Sequence, residues 1–421
     1  MTALLTEIPR ALISVFRVSY ARARRIAIAG AGVGWIGAAL FIALGPGSNR
    51  SVLGPMKWAD FPHFYTLGAV TRARASHLLY DTHALDALQR SLVPDSTGDV
   101  FIPVYAPVTG LVFAPFSVFS YFTAGALWAL VTIAVYMTCV WLAWAPAARA
   151  FSDPWFAIAA PLAFPAAWQL AVYGQTTAVP LFAFTAAWCA LEGNRAILAG
   201  AALSLLAIKP QFALVITAMA MMTADWRLML GAAIGAGLQA LAVLAVFDAS
   251  VFGAYVRMLQ RLPAIGGLLE PKPYNMHSIR ALTQMLPPAA DWVVWSVLAV
   301  IVIAATRIVW RSNTPMRMRF GTLVLASILV DPHLTTYDVA VLVLPVAWIG
   351  GLLLERGIDA VWFWQLVFWI SVALLVPTAR WVPIQASAVL MTALFAGTIW
   401  RAYPQIARAA ATIAPPPASC R

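Results

Sequence analysis

Residues 104–148 read VYAPVTGLVFAPFSVFSYFTAGALWALVTIAVYMTCVWLAWAPAA, a run without Asp, Glu, Lys, Arg or His, and residues 155–191 form a second such run. Both exceed the roughly 20 apolar residues that cross a bilayer as helix, so each holds at least one crossing. Composition agrees, since 62% of the 421 residues are hydrophobic and only 10% are charged, against about a quarter charged in soluble domains. The fold class is all-α, a polytopic integral membrane protein forming one membrane domain over residues 1–421.

Working outward, apolar runs lie near 26–45, 106–119, 121–145, 155–173, 176–191, 195–223, 228–247, 291–310, 318–330, 339–354, 360–377 and 383–402. The expectation is about 12 transmembrane helices, several short. Pro107, Pro115, Pro161, Pro165, Pro180 and Pro210 lie in or beside them. Prolines persist at membrane depth where neighbours or cavity water satisfy the freed carbonyls, so broken helices around a polar cavity are expected.

Arg10, Arg17, Arg22, Arg24 and Arg25 precede the first run, and Arg311, Arg317 and Arg319 fill a later short loop. The positive-inside rule puts both segments in the cytoplasm. Residues 46–105 then form a first extracytoplasmic loop and 248–290 a second, with 331–338 on the same side. In the first loop, Phe61 to Leu79 has helical apolar spacing, and Asp81 or Thr82 caps a second helix through Leu88. Both read as amphipathic juxtamembrane helices over a cavity.

The net charge of +11 follows from cytoplasmic arginines and contacts to anionic membrane lipids, and calls for no nucleic acid. Cys139, Cys189 and Cys420 form no paired framework. Neither a phosphate-cradling glycine loop nor metal-ligand spacing is found, so no cofactor or metal is expected.

Function must come from polar residues that interrupt apolar sequence. Asp60, in Trp58-Ala59-Asp60-Phe61-Pro62-His63-Phe64-Tyr65, is an acid among aromatics, costly unless a role offsets it. It reads as a general base; on position alone, capping the helix that follows weighs equally. Tyr173-Gly174-Gln175-Thr176-Thr177 separates two apolar runs and reads locally as a helix connection. Lys209 stands between uncharged stretches at membrane depth, facing a partner or a cavity, or snorkelling to an interface. Pro273-Tyr274-Asn275-Met276-His277-Ser278, beside Lys272 and Arg280, could bind phosphate or sugar hydroxyls. In Asp331-Pro332-His333-Leu334-Thr335-Thr336-Tyr337-Asp338 no Lys or Arg neutralises the acids, and two of them flank His333, giving it a way to stay protonated near neutral pH.

Asp60-Phe61, Leu79-Tyr80-Asp81, Tyr105-Ala106-Pro107, Gly174-Gln175, Lys209-Pro210, Asn275 with Ser278, and Pro332-His333 with Tyr337-Asp338 together resemble glycosyltransferase family 87. Its members include GT-C-type, polyprenyl-phosphate-mannose-dependent mannosyltransferases like those elongating mycobacterial phosphatidylinositol mannosides. Two motifs differ: Tyr105-Ala106-Pro107 replaces Tyr-Pro-Pro, and Thr-Thr follows Gly174-Gln175 in place of an Asn-containing turn. The resemblance implies transfer of a hexose, mannose first, from a polyprenyl-phosphate donor to a lipid or glycan hydroxyl, with inversion and without metal. It places the reaction on the extracytoplasmic face of the plasma (inner) membrane. Asp60 would be the base, and Lys209, His333, Arg280 and Lys272 the phosphate ligands. His63, Tyr65, Tyr80, Asp81, Tyr105, Gln175, Asn275, Ser278, Tyr337 and Asp338 would line the substrate site. Two other readings stay open: a secondary transporter or lipid flippase, and a GT-C enzyme taking a pentose or aminoarabinose donor.

Overall fold

The computed structural model describes residues 18–45, 47–96, 101–269 and 273–411; Lys272 lies outside them, as do Arg10, Arg17, Asp99 and Cys420. Every named element within them is helical, joined by two isolated β-bridges, Arg50 with Met56 and Met276 with Thr335. Among the described residues, five helices are long and apolar enough to cross a bilayer: Tyr20–Ala43, Tyr121–Ala147, Trp226–Leu244, Pro288–Trp310 and Asp338–Glu355. The pair Pro154–Ala163 and Pro165–Tyr173, bent by 53°, makes a sixth. The bend is at Phe164, which is extended (φ −64°, ψ 119°) because the ring of a following proline excludes the helical region.

The chain is therefore a polytopic helical membrane protein, and its elements depart from a set of twelve crossings in two places. The expected span at 106–119 is a six-residue helix, Val108–Phe113, followed by a 3₁₀ turn. Six residues rise only about 9 Å, far short of a hydrocarbon core of about 30 Å. Its apolar side chains face protein instead. A Cβ on Gly68 would fall 2.4 Å from Phe113 O, and one on Gly110 would strike Thr71, so this helix lies backbone to backbone on Phe61–Arg72.

The run 195–223 divides at Lys209 (φ −132°, ψ 76°) into the shorter apolar helices Ala196–Ile208 and Pro210–Thr223. Close contacts fix their directions. A Cβ on Gly231 would meet Ile197 O, one on Gly200 would meet Leu228 O, and one on Gly235 would meet Ala201 O and Ser204. From Ile197 and Gly200 to Ala201 and Ser204, the facing residues advance from Leu228, Gly231 and Ala232 to Gly235, so Ala196–Ile208 runs parallel to Trp226–Leu244. Pro210–Thr223 must then return toward the side where Ala196 began. Small residues permit this close approach in the absence of a hydrophobic drive between helices.

The same end of the bundle collects charge. Arg317 forms a two-pronged pair with Glu355, both bonds 2.6 Å, and Arg319 feels the charge of Glu192. From Arg195 to Lys209, or from Arg317 to Asp331, the chain climbs about 20 Å at 1.5 Å per helical residue. Thr177, Lys209, Asp331 and Asp338 all stand at the opposite ends of helices whose near ends carry Glu192, Arg195, Arg317 and Glu355. Four apolar segments thus deliver polar residues to one level.

The first loop closes over that level. The helix Thr82–Leu92 is amphipathic as expected, and Asp81 caps it, accepting from the backbone N–H of His83 and of Ala84 at 3.0 Å. Phe61–Arg72 is not a surface helix, because ten of its twelve residues are buried. Lys57, itself buried, donates to Gly45 O and Ser48 O at 2.8 and 2.9 Å, and Tyr121 donates to Lys57 O at 2.7 Å. These bonds fix the segment that enters Asp60.

Candidate active site

Asp60 occupies the N-cap position of Phe61–Arg72, yet its side chain makes no capping hydrogen bond. Pro62 at the start of the helix lacks an N–H and removes one donor that a cap would satisfy. The carboxylate instead meets Gln175, whose Nε2 donates to Asp60 Oδ2 at 2.6 Å and to Tyr337 Oη at 3.1 Å. The capping reading of Asp60 therefore fails on geometry.

Gln175 is held there by the turn before it. Gly174 is left-handed (φ +68°), and a Cβ at that position would lie 2.8 Å from Phe61 Cβ and 3.1 Å from Trp58 Cβ. Only glycine allows both the angle and the approach. Asp60 N–H donates to Tyr173 O at 2.9 Å, and Trp128 Nε1 donates to Gly174 O and Gln175 O at 3.1 and 3.2 Å. The segment is a helix connection, as its local sequence reads, and one that delivers an amide to the acid.

Below this pair lies a second, wholly buried one. Lys209 Nζ donates to Asp338 Oδ1 at 2.5 Å and to Thr177 Oγ1 at 3.2 Å. Thr177 donates its hydroxyl to Asp338 as well, and Thr335 Oγ1 donates to Asp338 Oδ2 at 3.1 Å. Lys209 also lies 5.1 Å from the centre of the Tyr337 ring, which packs on Tyr173 at 5.4 Å. Lys209 faces a partner rather than snorkelling. Its cation neutralises an acid of the 331–338 loop that has no basic neighbour in its own segment.

Burial raises the Asp60 carboxyl from 3.8 to about 6; Gln175, the Lys209 charge and Tyr337 oppose this, and Asp338 adds to it. A base titrating near 6 is ionised at neutral pH yet retains appreciable proton affinity, which suits general-base work.

His333 does not fit the expectation of a protonated histidine. Burial lowers its pKa, and Lys209 lowers it further against the pull of Asp338. Its two acids are engaged elsewhere: Asp338 holds Lys209, and Asp331 Oδ1 accepts from His333 N–H at 2.7 Å. Asp331 is fully buried, its Oδ2 is unpartnered, and burial raises its carboxyl well above the usual range. His333 thus offers the site a neutral imidazole.

The site gathers Asp60, Gln175, Tyr105, Tyr337, Lys209, Asp338 and His333. Tyr105 senses the charges of Asp60 and Asp338, while Tyr80 stands behind it, donating to Tyr105 O at 2.9 Å. Asn275 and Ser278 lie on a loop pinned beside it by His277 N–H to Leu334 O, 2.9 Å, and Ile279 N–H to Leu329 O, 3.0 Å. Other candidates fall elsewhere. Arg280 is ion-paired with Asp291 and lies 3.9 Å over the Trp292 ring, Asp81 is a helix cap, and Tyr65 donates to Phe119 O at 2.8 Å within an aromatic cluster. Thr177 and Thr335 were not picked out singly from sequence; their only signal is a hydroxyl beside a turn. Among the described residues no group of three His, Cys, Asp or Glu is placed to hold a metal.

A bundle of apolar helices that buries the Lys209–Asp338 ion pair and holds a carboxylate beside it that caps no helix defines a membrane protein with a buried polar cluster. Residues 103–332 match the profile of glycosyltransferase family 87, more than half of the chain. The chain belongs to that family and is a membrane glycosyltransferase, which displaces the transporter and flippase reading. No curated protein and no solved structure is significantly similar to it. Gln175 and Lys209 lie inside the matched segment; Asp60 lies before it and Asp338 after it, joined to it by the bonds above.

Proposed function

We propose that the protein transfers a hexose, mannose first, from a polyprenyl-phosphate donor to a hydroxyl of a lipid or glycan acceptor, with inversion at the anomeric carbon. The observation that carries this is the Asp60 carboxylate, held by Gln175 and free of any capping role. Asp60 takes the acceptor hydroxyl proton as its oxygen attacks the anomeric carbon. The bond from that carbon to the phosphate oxygen breaks, and polyprenyl phosphate departs with the electron pair. A phosphate leaves without needing a proton, so one base suffices. Positioned bases of this kind contribute roughly 10²–10⁴ in rate.

Lys209 and His333 are the proposed phosphate-side groups. Lys209 brings positive charge near Asp60 while anchored to Asp338, and His333 adds a neutral hydrogen-bonding ring. Charge that accumulates on the leaving phosphate is best stabilised by such preplaced groups. The arginine-rich ends of the bundle lie opposite the site, and basic ends face the cytoplasm. That asymmetry supports an extracytoplasmic active site in the plasma membrane. Purified protein incubated with radiolabelled polyprenyl-phosphate mannose and a lipid extract of the host tests the reading. Labelled lipid or glycan is expected, and none from wild type refutes the donor assignment.

A further inference from the structure

His63 follows Asp60 by three residues on the helix Phe61–Arg72, the spacing that puts two side chains on one helix face. His63 is 4% exposed, and its ring is flanked at 5.6 Å by each of Phe64, Phe101 and Tyr105. Its Nε2 is buried without a hydrogen-bond partner. The other buried histidine behaves differently: His277 has Ser387 Oγ 2.6 Å from Nδ1 and Thr336 Oγ1 2.8 Å from Nε2. Buried polar atoms are nearly always paired, and an orphan beside a reacting carboxylate calls for a partner that arrives with the substrate. Tyr105 links the two places, since its ring packs on His63 and its hydroxyl lies within range of the charge of Asp60.

We infer that His63 receives a sugar hydroxyl in the substrate complex, with the rings of Phe101 and Tyr105 against the apolar C–H face of that sugar. This rests on the proposed transfer reaction. Burial lowers the His63 pKa to about 4, so the ring is neutral, with one N–H and one lone pair. A hydroxyl both donates and accepts, so it can meet Nε2 in either tautomer of the neutral ring. The hydroxyl belongs to the donor sugar or to a sugar of the acceptor.

His63→Phe, His63→Leu and His63→Gln, assayed beside wild type with radiolabelled polyprenyl-phosphate mannose and host lipid extract, separate these sources. Phe and Leu remove the orphan polar atom, so thermal unfolding in detergent is expected at or above the wild-type temperature. Transfer is expected to weaken about tenfold in kcat/KM, the scale of one lost hydrogen bond. A rise in KM for the donor assigns the hydroxyl to the donor sugar, and a rise for the extract assigns it to the acceptor. Gln, which keeps a donor and an acceptor, is expected to recover most of the loss. Wild-type kinetics in either apolar variant overturns the inference. So does a parallel loss of stability and transfer in Phe, Leu and Gln, which marks a purely structural ring. A wild type that transfers nothing from this donor overturns the proposed reaction, and the subsite with it.

Discussion

Asp60→Asn separates a catalytic carboxylate from a structural one, because it pushes stability and turnover in opposite directions. Burial raises this carboxyl from 3.8 to about 6, so at pH 7 the folded protein holds an anion that the unfolded chain would solvate better. At about 1.36 kcal/mol per tenfold change, that costs the fold about 3 kcal/mol at pH 7. The sign follows from proton counting. Between 3.8 and 6 the folded state binds more protons than the unfolded one, so the cost shrinks as pH falls, to roughly half at pH 5 and toward zero below 3.8. Asparagine keeps the shape without the charge, and its Oδ1 can still accept from Gln175 Nε2. The variant is therefore expected to unfold at a higher temperature than wild type at pH 7.5, with a gap that narrows toward pH 5. Its glycosyl transfer is expected to fall about 10²–10⁴-fold. Both are read on the same detergent-purified samples, by a thermal-shift series across pH and by transfer of label. A variant less stable than wild type at pH 7.5 would refute the account of the burial cost, and near-wild-type turnover would refute the base.

Four further outcomes follow from the same geometry. The rate of transfer at limiting substrate is expected to fall as pH drops through about 6, since only ionised Asp60 accepts a proton; a rate flat from pH 7.5 to 5 excludes it as the base. Lys209→Met leaves the buried Asp338 carboxylate without its cation and is expected to cost about 3–5 kcal/mol. Adding Asp338→Leu to Lys209→Met should recover much of that stability, read by thermal unfolding. Gly174→Ala forces a side chain into left-handed backbone against Phe61, costing on the order of 1–2 kcal/mol; activity should drop well beyond the lost stability, because Gln175 and Asp60 shift together. Asp81→Ala should lose about 1 kcal/mol of stability, the worth of a helix cap, with unchanged kcat and KM.

Sequence alone revealed what depends on short stretches of chain. The apolar runs, the helix restart at Asp81, the helix connection at Gly174-Gln175 and the interruption at Lys209-Pro210 each follow from residues within a few positions of one another. The site's own logic was not legible, because its bonds join distant segments. Asp60 meets Gln175 across 115 positions and Lys209 meets Asp338 across 129. Whether Asp60 caps its helix depends on where Gln175 lies, so position left both readings equal. His333 misleads for the same reason: two acids near it in sequence suggest a cation, but one binds Lys209 and the other is a buried acid whose carboxyl burial pushes well above its ordinary range. The run at 106–119 shows the limit of hydropathy. Apolar residues report burial in something apolar, and here that is Phe61–Arg72 rather than lipid.

The two carboxylates at the site need each other's environments to differ. Lys209 pulls the Asp60 carboxyl down, and Asp338 pushes it up more weakly, so the ion pair 2.5 Å long between Lys209 and Asp338 sets opposed charges against Asp60. Gln175 then adds a neutral donor on the carboxylate itself. With Asp338 unpaired, two neighbouring anions in a poorly solvated site would drive one of them to hold its proton at neutral pH. On the proposed reaction, Lys209 would then do more than offer charge to a phosphate. It would keep Asp60 deprotonated, from the break in an otherwise apolar pair of helices that has no other charged residue to give.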